Sequence, residues 1–109
     1  MVDIKNYYGK RLNRIGYGTY ETLVRLRELI KDVFSDILSV KRELIKDISF
    51  QELDLNPDNL STNFKVSFNI YPISSFYGKI SHYSYEIIYY HYEDKYDNWG
   101  IVLTHYREI

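Results

Sequence analysis

The sequence predicts an α+β domain in which an N-terminal helix, whole or split in two, packs on a three-stranded antiparallel meander. Apolar residues recur at helical spacing in the first half, whereas from Phe64 onward they fall on every second residue. The charge balance changes sign at almost the same place. Met1 to Lys46 holds ten Lys/Arg against six Asp/Glu, a balance of +4, while Asp47 to Ile109 holds four against nine, a balance of −5. At 109 residues the chain fits one domain, divided into an arm (1–18), a helical segment (19–46), a connector (47–63) and an antiparallel sheet (64–109).

The helical segment rests on Leu23, Leu26, Ile30, Val33, Ile37, Val40 and Leu44, an apolar seam at alternating steps of three and four. Leu29, Phe34, Leu38 and Ile45 widen it, and Thr19 after Gly16-Tyr17-Gly18 supplies an N-cap. A continuous helix from Thr19 to Lys46 would run about 40 Å, longer than a small domain needs. It therefore either breaks near Ser35 or Ser39, or projects and pairs with a second copy. In the connector, Asn56-Pro57-Asp58-Asn59 has turn chemistry, and Ser49-Phe50-Gln51-Glu52 has the spacing of a capping box, which predicts a short helical turn.

Phe64, Val66, Phe68 and Ile70 alternate with polar residues as the first strand, which ends before Pro72. A loop over Ser74–Lys79 follows, then a second strand over Ile80–Tyr92 and a third over Trp99–Arg107, joined by the polar turn Glu93–Asn98. Setting Tyr89 opposite Leu103, and hence His91 opposite Ile101, keeps every odd-numbered apolar residue on one side; a slip of one residue would turn Ile101 and Leu103 outward. That register leaves Ile88, Tyr90, Tyr92, Val102 and Tyr106 together on the other face.

Composition excludes several functions. No cysteine is present, which removes disulfides, thiolate metal sites and a cysteine nucleophile. The N-terminus has no apolar stretch resembling a signal peptide, and the longest uncharged run, Val66 to Gly78, is too short and polar to span a bilayer. The expectation is a cytoplasmic protein with no membrane partner. His82 and His91 have opposite strand parity, while His91 and His105 share a face but lie about 13 Å apart at strand rise, too far for one metal ion. Glu86 is four residues from His82, and Ser74, Ser75 and Ser84 have no evident base. Gly16-Tyr17-Gly18-Thr19 lacks the strand, third glycine and Lys-Ser/Thr pair of a phosphate loop. No cofactor, metal or catalytic site is expected, and the chain reads as a non-enzyme.

Two surfaces remain. A contiguous aromatic group on a sheet face marks an interface, since tyrosine offers a large rigid ring with a hydroxyl that stays hydrogen-bonded. Tyr90, Tyr92 and Tyr106 would be its anchors, with Glu86, Glu93, Asp94 and Asp97 as an acidic rim able to mimic phosphates toward a basic partner. The alternative is nucleic-acid binding through the arm, where Lys5, Tyr8, Lys10, Arg11, Arg14 and Tyr17 interleave cations with rings that stack on bases. The acidic second half would repel a duplex lying across the whole surface, which confines any such binding to the arm.

The hairpin from Tyr85-Glu86-Ile87-Ile88-Tyr89-Tyr90 to Val102-Leu103-Thr104-His105-Tyr106-Arg107, in a short Tyr/Ile/Lys-rich chain, is similar in flavour to the closing hairpins of small accessory proteins of phages and archaeal viruses. That resemblance covers about a quarter of the chain and carries over no functional residue. It implies an inhibitor of the anti-CRISPR kind, acting in the host cytoplasm by occluding a surface of a host protein. With the long seam, the expectation is a homodimeric, non-enzymatic protein-binding inhibitor.

Overall fold

The computed structural model describes residues 11–14, 20–53, 61–74, 76, 78–93 and 99–109, with side chains described for 23–53, 63–74, 76, 78–90 and 100–109. The fold is α+β, with β1 (Arg11–Arg14), α1 (Tyr20–Leu38), a 3-10 turn (Arg42–Leu44), β2 (Ile45–Gln51), β3 (Ser61–Ile70), β4 (Ser81–Glu93) and β5 (Trp99–Glu108). The strands form one five-stranded antiparallel sheet in the order β1-β5-β4-β3-β2. The expected meander is its centre, and a strand has been added at each edge. Because β1 and β2 lie on opposite edges, α1 must cross the sheet. Its 19 residues reach about 28 Å, ample for the roughly 19 Å width of five strands.

The helix is shorter than the seam that predicts it. Ser39 takes a left-handed conformation, φ 54°, and the Val40 N–H bonds the Ser35 carbonyl at 3.1 Å, a Schellman ending made with serine in place of glycine. Ser35 Oγ also donates to the Asp32 carbonyl, 2.9 Å away. Of the two candidate breaks, Ser39 is the one used. Beyond it Arg42 reaches back to Glu28 and to Asp32, the latter at 2.6 Å, and holds the 3-10 turn against the helix.

The second departure is β2, which lies where the seam's end and the connector are expected. Ile45 is buried, and Ile48 and Phe50 pack against the core. A bulge between Lys46 and Ser49, with Asp47 at φ 59°, breaks the alternation that would have marked a strand. The expected helical turn at Ser49 is absent: Ser49 pairs with Ser67 in the ladder, and Glu52 is left-handed at φ 61°.

The core lies between α1 and one sheet face. Leu26, Leu29, Ile30, Val33 and Phe34 of the helix meet Phe64, Val66 and Phe68 of β3, Tyr85, Ile87 and Tyr89 of β4, and Ile101 and Leu103 of β5. Rings carry much of it. Phe34 has its centroid 5.1 Å from Phe68, 4.6 Å from Tyr85 and 5.9 Å from Tyr106, while Tyr83 stacks on Phe68 at 5.7 Å. Thus most of the helical stripe, with Tyr83, Tyr85, Tyr89 and Tyr106, is packed within one chain. The apolar seam consequently loses its force as an argument for a dimer.

Register between β4 and β5 agrees with the expectation at Tyr89↔Leu103 and His91↔Ile101. It then shifts: Ile88 faces His105, so Thr104 is an extra residue in β5 and Tyr106 stands opposite Ile87. The bulge turns Tyr106 onto the core side. His105 is thereby placed on the outer face, opposite Ile88.

Candidate interaction surface

Of the residues expected to form a protein interface, the structure groups few. Tyr106 is only 7% exposed and packs edge-on to Phe34 and Tyr85, so it is no surface anchor. Tyr90 does face outward and is 36% exposed, but its neighbour Val102 is buried. Glu86 is paired with Arg107 at 2.5 Å and mostly covered, so its charge is neutralised rather than displayed. Asp94 and Asp97 lie outside the described residues, as do the side chains of Tyr92 and Glu93. Lys5, Tyr8, Lys10 and Tyr17 of the alternative arm site are also outside, together with the side chains of Arg11 and Arg14, whose backbone forms β1 beside β5.

The outer sheet face is instead a connected polar surface. Asp47 Oδ2 accepts from the Tyr71 hydroxyl at 2.5 Å and from Asn69 Nδ2 at 3.0 Å. A carboxylate only accepts, which fixes the Asn69 amide with Oδ1 toward His82 Nδ1, 2.8 Å away, so that this histidine nitrogen carries the hydrogen. His82 Nε2 is 3.4 Å from Ser84 Oγ, which shares a further hydrogen bond with Ser67 Oγ at 3.0 Å. Ser84 therefore does have a base beside it, contrary to the sequence expectation. The order Ser–His–Asn resembles the nucleophile–base–orienting-group order of hydrolase triads, with Asn where serine triads carry a carboxylate. Here, however, the serine–histidine contact is long and lies on an open sheet, and the backbone N–H groups of β3 and β4 belong to the ladder rather than an oxyanion hole. The arrangement holds the surface together.

These contacts set two titrations. The Tyr71 and Asn69 donors hold the Asp47 carboxyl below the usual carboxylate value, and the same bond pushes the Tyr71 phenol up. In the core, burial, reinforced by Glu108 and neighbouring tyrosines, pushes the Tyr85 phenol up to about 12.

Among the described residues the most exposed large apolar side chains, Ile73 and Phe76, lie at the end of the sheet, in the β3–β4 connection. Ile73 is 82% exposed, Phe76 89% and Ile80 54%. Scattered apolar residues such as Val24 and Ile109 are unremarkable on a protein surface, but three in one connection are not. The connection is also built. Gly78 sits at φ +133° with its backbone against Pro72, where a Cβ would come within 2.8 Å of the proline Cβ. The Phe76 N–H bonds Ser74 Oγ at 3.2 Å, and at the base Lys46 Nζ lies 5.1 Å from the centre of the Tyr71 ring. The sequence reading delimits only Ser74–Lys79 as a loop, assigns it no role, and places Ile80 in the second strand, which in fact begins at Ser81. Its signal was the apolar content of a stretch that has no strand register, where turns are usually polar.

No known protein family, curated protein or solved structure matches this chain. Among the described residues no helix is long and apolar enough to cross a membrane.

Proposed function

We propose that the chain is a non-enzymatic protein-binding protein of inhibitor type, which acts by seating a structured apolar tip on a partner and occluding the surface beneath it. The observation that carries this reading is the near-complete exposure of Ile73 and Phe76 on a connection braced by Pro72, Gly78 and Ser74. Holding two large apolar side chains in water costs free energy that their burial on binding recovers, and bracing lowers the ordering cost of association. The mode agrees with the host-protein occlusion implied by the resemblance to viral accessory proteins. The contact itself moves from the Tyr-rich face to the β3–β4 end, and an acidic rim around Glu86 is no part of it.

The rival remains nucleic-acid binding by the arm, and two measurements separate them. Labelled DNA and RNA titrated at rising salt are expected to show no steep binding; a steep salt-dependent affinity abolished by replacing Lys10, Arg11 and Arg14 would establish the rival. Affinity capture from host extract is expected to retain protein on the wild-type chain and lose it with Phe76→Ala. Identical capture by both chains would refute a role for the tip.

A further inference from the structure

We infer that Tyr71 is a modification site, at which a one-electron oxidant takes an electron from the ring while Asp47 takes the phenolic proton. The inference is independent of the partner-binding reading above. The Tyr71 hydroxyl donates to Asp47 Oδ2 at 2.5 Å, the short end for a charge-assisted bond and a distance a proton crosses readily. The acceptor is an anion at neutral pH, because the Tyr71 and Asn69 donors hold the Asp47 carboxyl below the usual carboxylate value. Sulfur offers little competition for oxidising equivalents, since the chain has no cysteine and only Met1. Tyr85, Tyr89 and Tyr106 are buried in the core, whereas Tyr71 is half-exposed and its bond to Asp47 lies at the surface. Tyr90 is exposed too, but among the described residues no carboxylate accepts from its hydroxyl.

The oxidant, here the carbonate radical anion, gains one electron and becomes carbonate. The phenolic O–H bond breaks as an O–H bond forms on Asp47, leaving a neutral tyrosyl radical and a carboxylic acid that returns its proton to water. Nitrogen dioxide, itself a radical, then bonds the ring carbon beside the oxygen. The hydrogen on that carbon moves to the oxygen, which gives 3-nitrotyrosine. Lys46, with its ammonium 5.1 Å from the ring centre, opposes positive charge on the ring. Moving the electron and proton together creates none, so the carboxylate decides the outcome. The same bond has the opposite effect on reagents that attack a phenolate, because it pushes the Tyr71 phenol up. Oxidation and acylation of Tyr71 therefore respond to Asp47 in opposite senses, which a mere change of exposure does not produce.

The test treats the full chain with peroxynitrite in bicarbonate buffer, which releases the carbonate radical and nitrogen dioxide together, and maps 3-nitrotyrosine by peptide mass spectrometry. Tyr71 is expected to be nitrated ahead of Tyr90. Asp47→Asn keeps a residue suited to positive φ and can still accept the hydrogen bond, but an amide does not take the proton. That variant is expected to lower nitration of Tyr71 at least about tenfold, less than a positioned base achieves in a closed site because water also accepts protons here. It is expected to leave Tyr90 unchanged and to raise O-acetylation of Tyr71 by N-acetylimidazole. Equal nitration of Tyr71 in the two chains would overturn the inference, as would nitration and acetylation that rise or fall together. Nitration of Tyr90 ahead of Tyr71 in the wild-type chain, or none at Tyr71, would overturn it as well.

Discussion

Thr104 closes the bulge between β4 and β5 by donating its hydroxyl to the Ile88 carbonyl at 2.9 Å. This one inserted residue decides which way Tyr106 points and so decides that the ring is core rather than surface. Tyr106→Ala is expected to cost about 3–5 kcal/mol, the range for deleting a buried ring. Tyr90→Ala, on the outer face, is expected to stay within about 1 kcal/mol. Urea denaturation midpoints of the two variants check the contrast; equal losses would place both rings in the same environment.

Ser39 ends the helix in a conformation that glycine adopts without a Cβ penalty. Ser39→Gly is expected to stabilise the fold by about 0.5–1 kcal/mol, read as a raised thermal midpoint. Ser39→Val, β-branched at positive φ, is expected to lower it.

Asp47 and Tyr71 bind each other with opposite titration shifts, so their bond has a window. The Asp47 carboxyl is held low, so its contribution is present above the ordinary carboxylate range and lost as pH falls through its lowered value. Tyr71 is held high, so its contribution is present below the ordinary phenol range and lost as pH rises through its raised value. Carboxyl NMR titration is expected to find Asp47 ionised in acid that protonates an ordinary aspartate. With Asp47→Asn the Tyr71 phenol is expected to titrate closer to its ordinary value.

Tyr85 is expected to remain a phenol until about pH 12 in the folded chain. An unfolded chain gives up that proton nearer pH 10, so between these values the native state holds more protons and stability falls with rising pH. Ultraviolet phenolate absorbance followed alongside circular dichroism should show Tyr85 ionising together with loss of structure. Tyr85→Phe removes this site and is expected to soften the alkaline decline.

What the sequence disclosed follows from where its periodicity is unbroken. Phe64 to Ile70 and Tyr83 to Ile87 alternate cleanly, and the burial of Ile101 and Leu103 then favours the pairing Tyr89↔Leu103. β2 was hidden because the Asp47 bulge spaces Ile45, Ile48 and Phe50 by three and then two, which blends with the helical steps of Val40 and Leu44. β1 offers one apolar residue, Leu12, in four. The extra residue Thr104 leaves no local mark in the sequence, so strand parity alone points Tyr106 to the wrong face and overstates the tyrosine surplus. Of the apolar tip, Phe76 stands in the expected loop, whereas Ile80 reads as the start of a strand, and loop position alone does not reveal how fully such residues face water.

The bulge in β2 also has a consequence for behaviour in crowded solution. As the outermost strand on its side, β2 would otherwise offer a straight row of amide groups onto which further chains could add. The left-handed turn at Asp47 bends that margin, and the exposed Lys46 charge repels an identical margin approaching it. Both features disfavour growth of ribbons or filaments from this side.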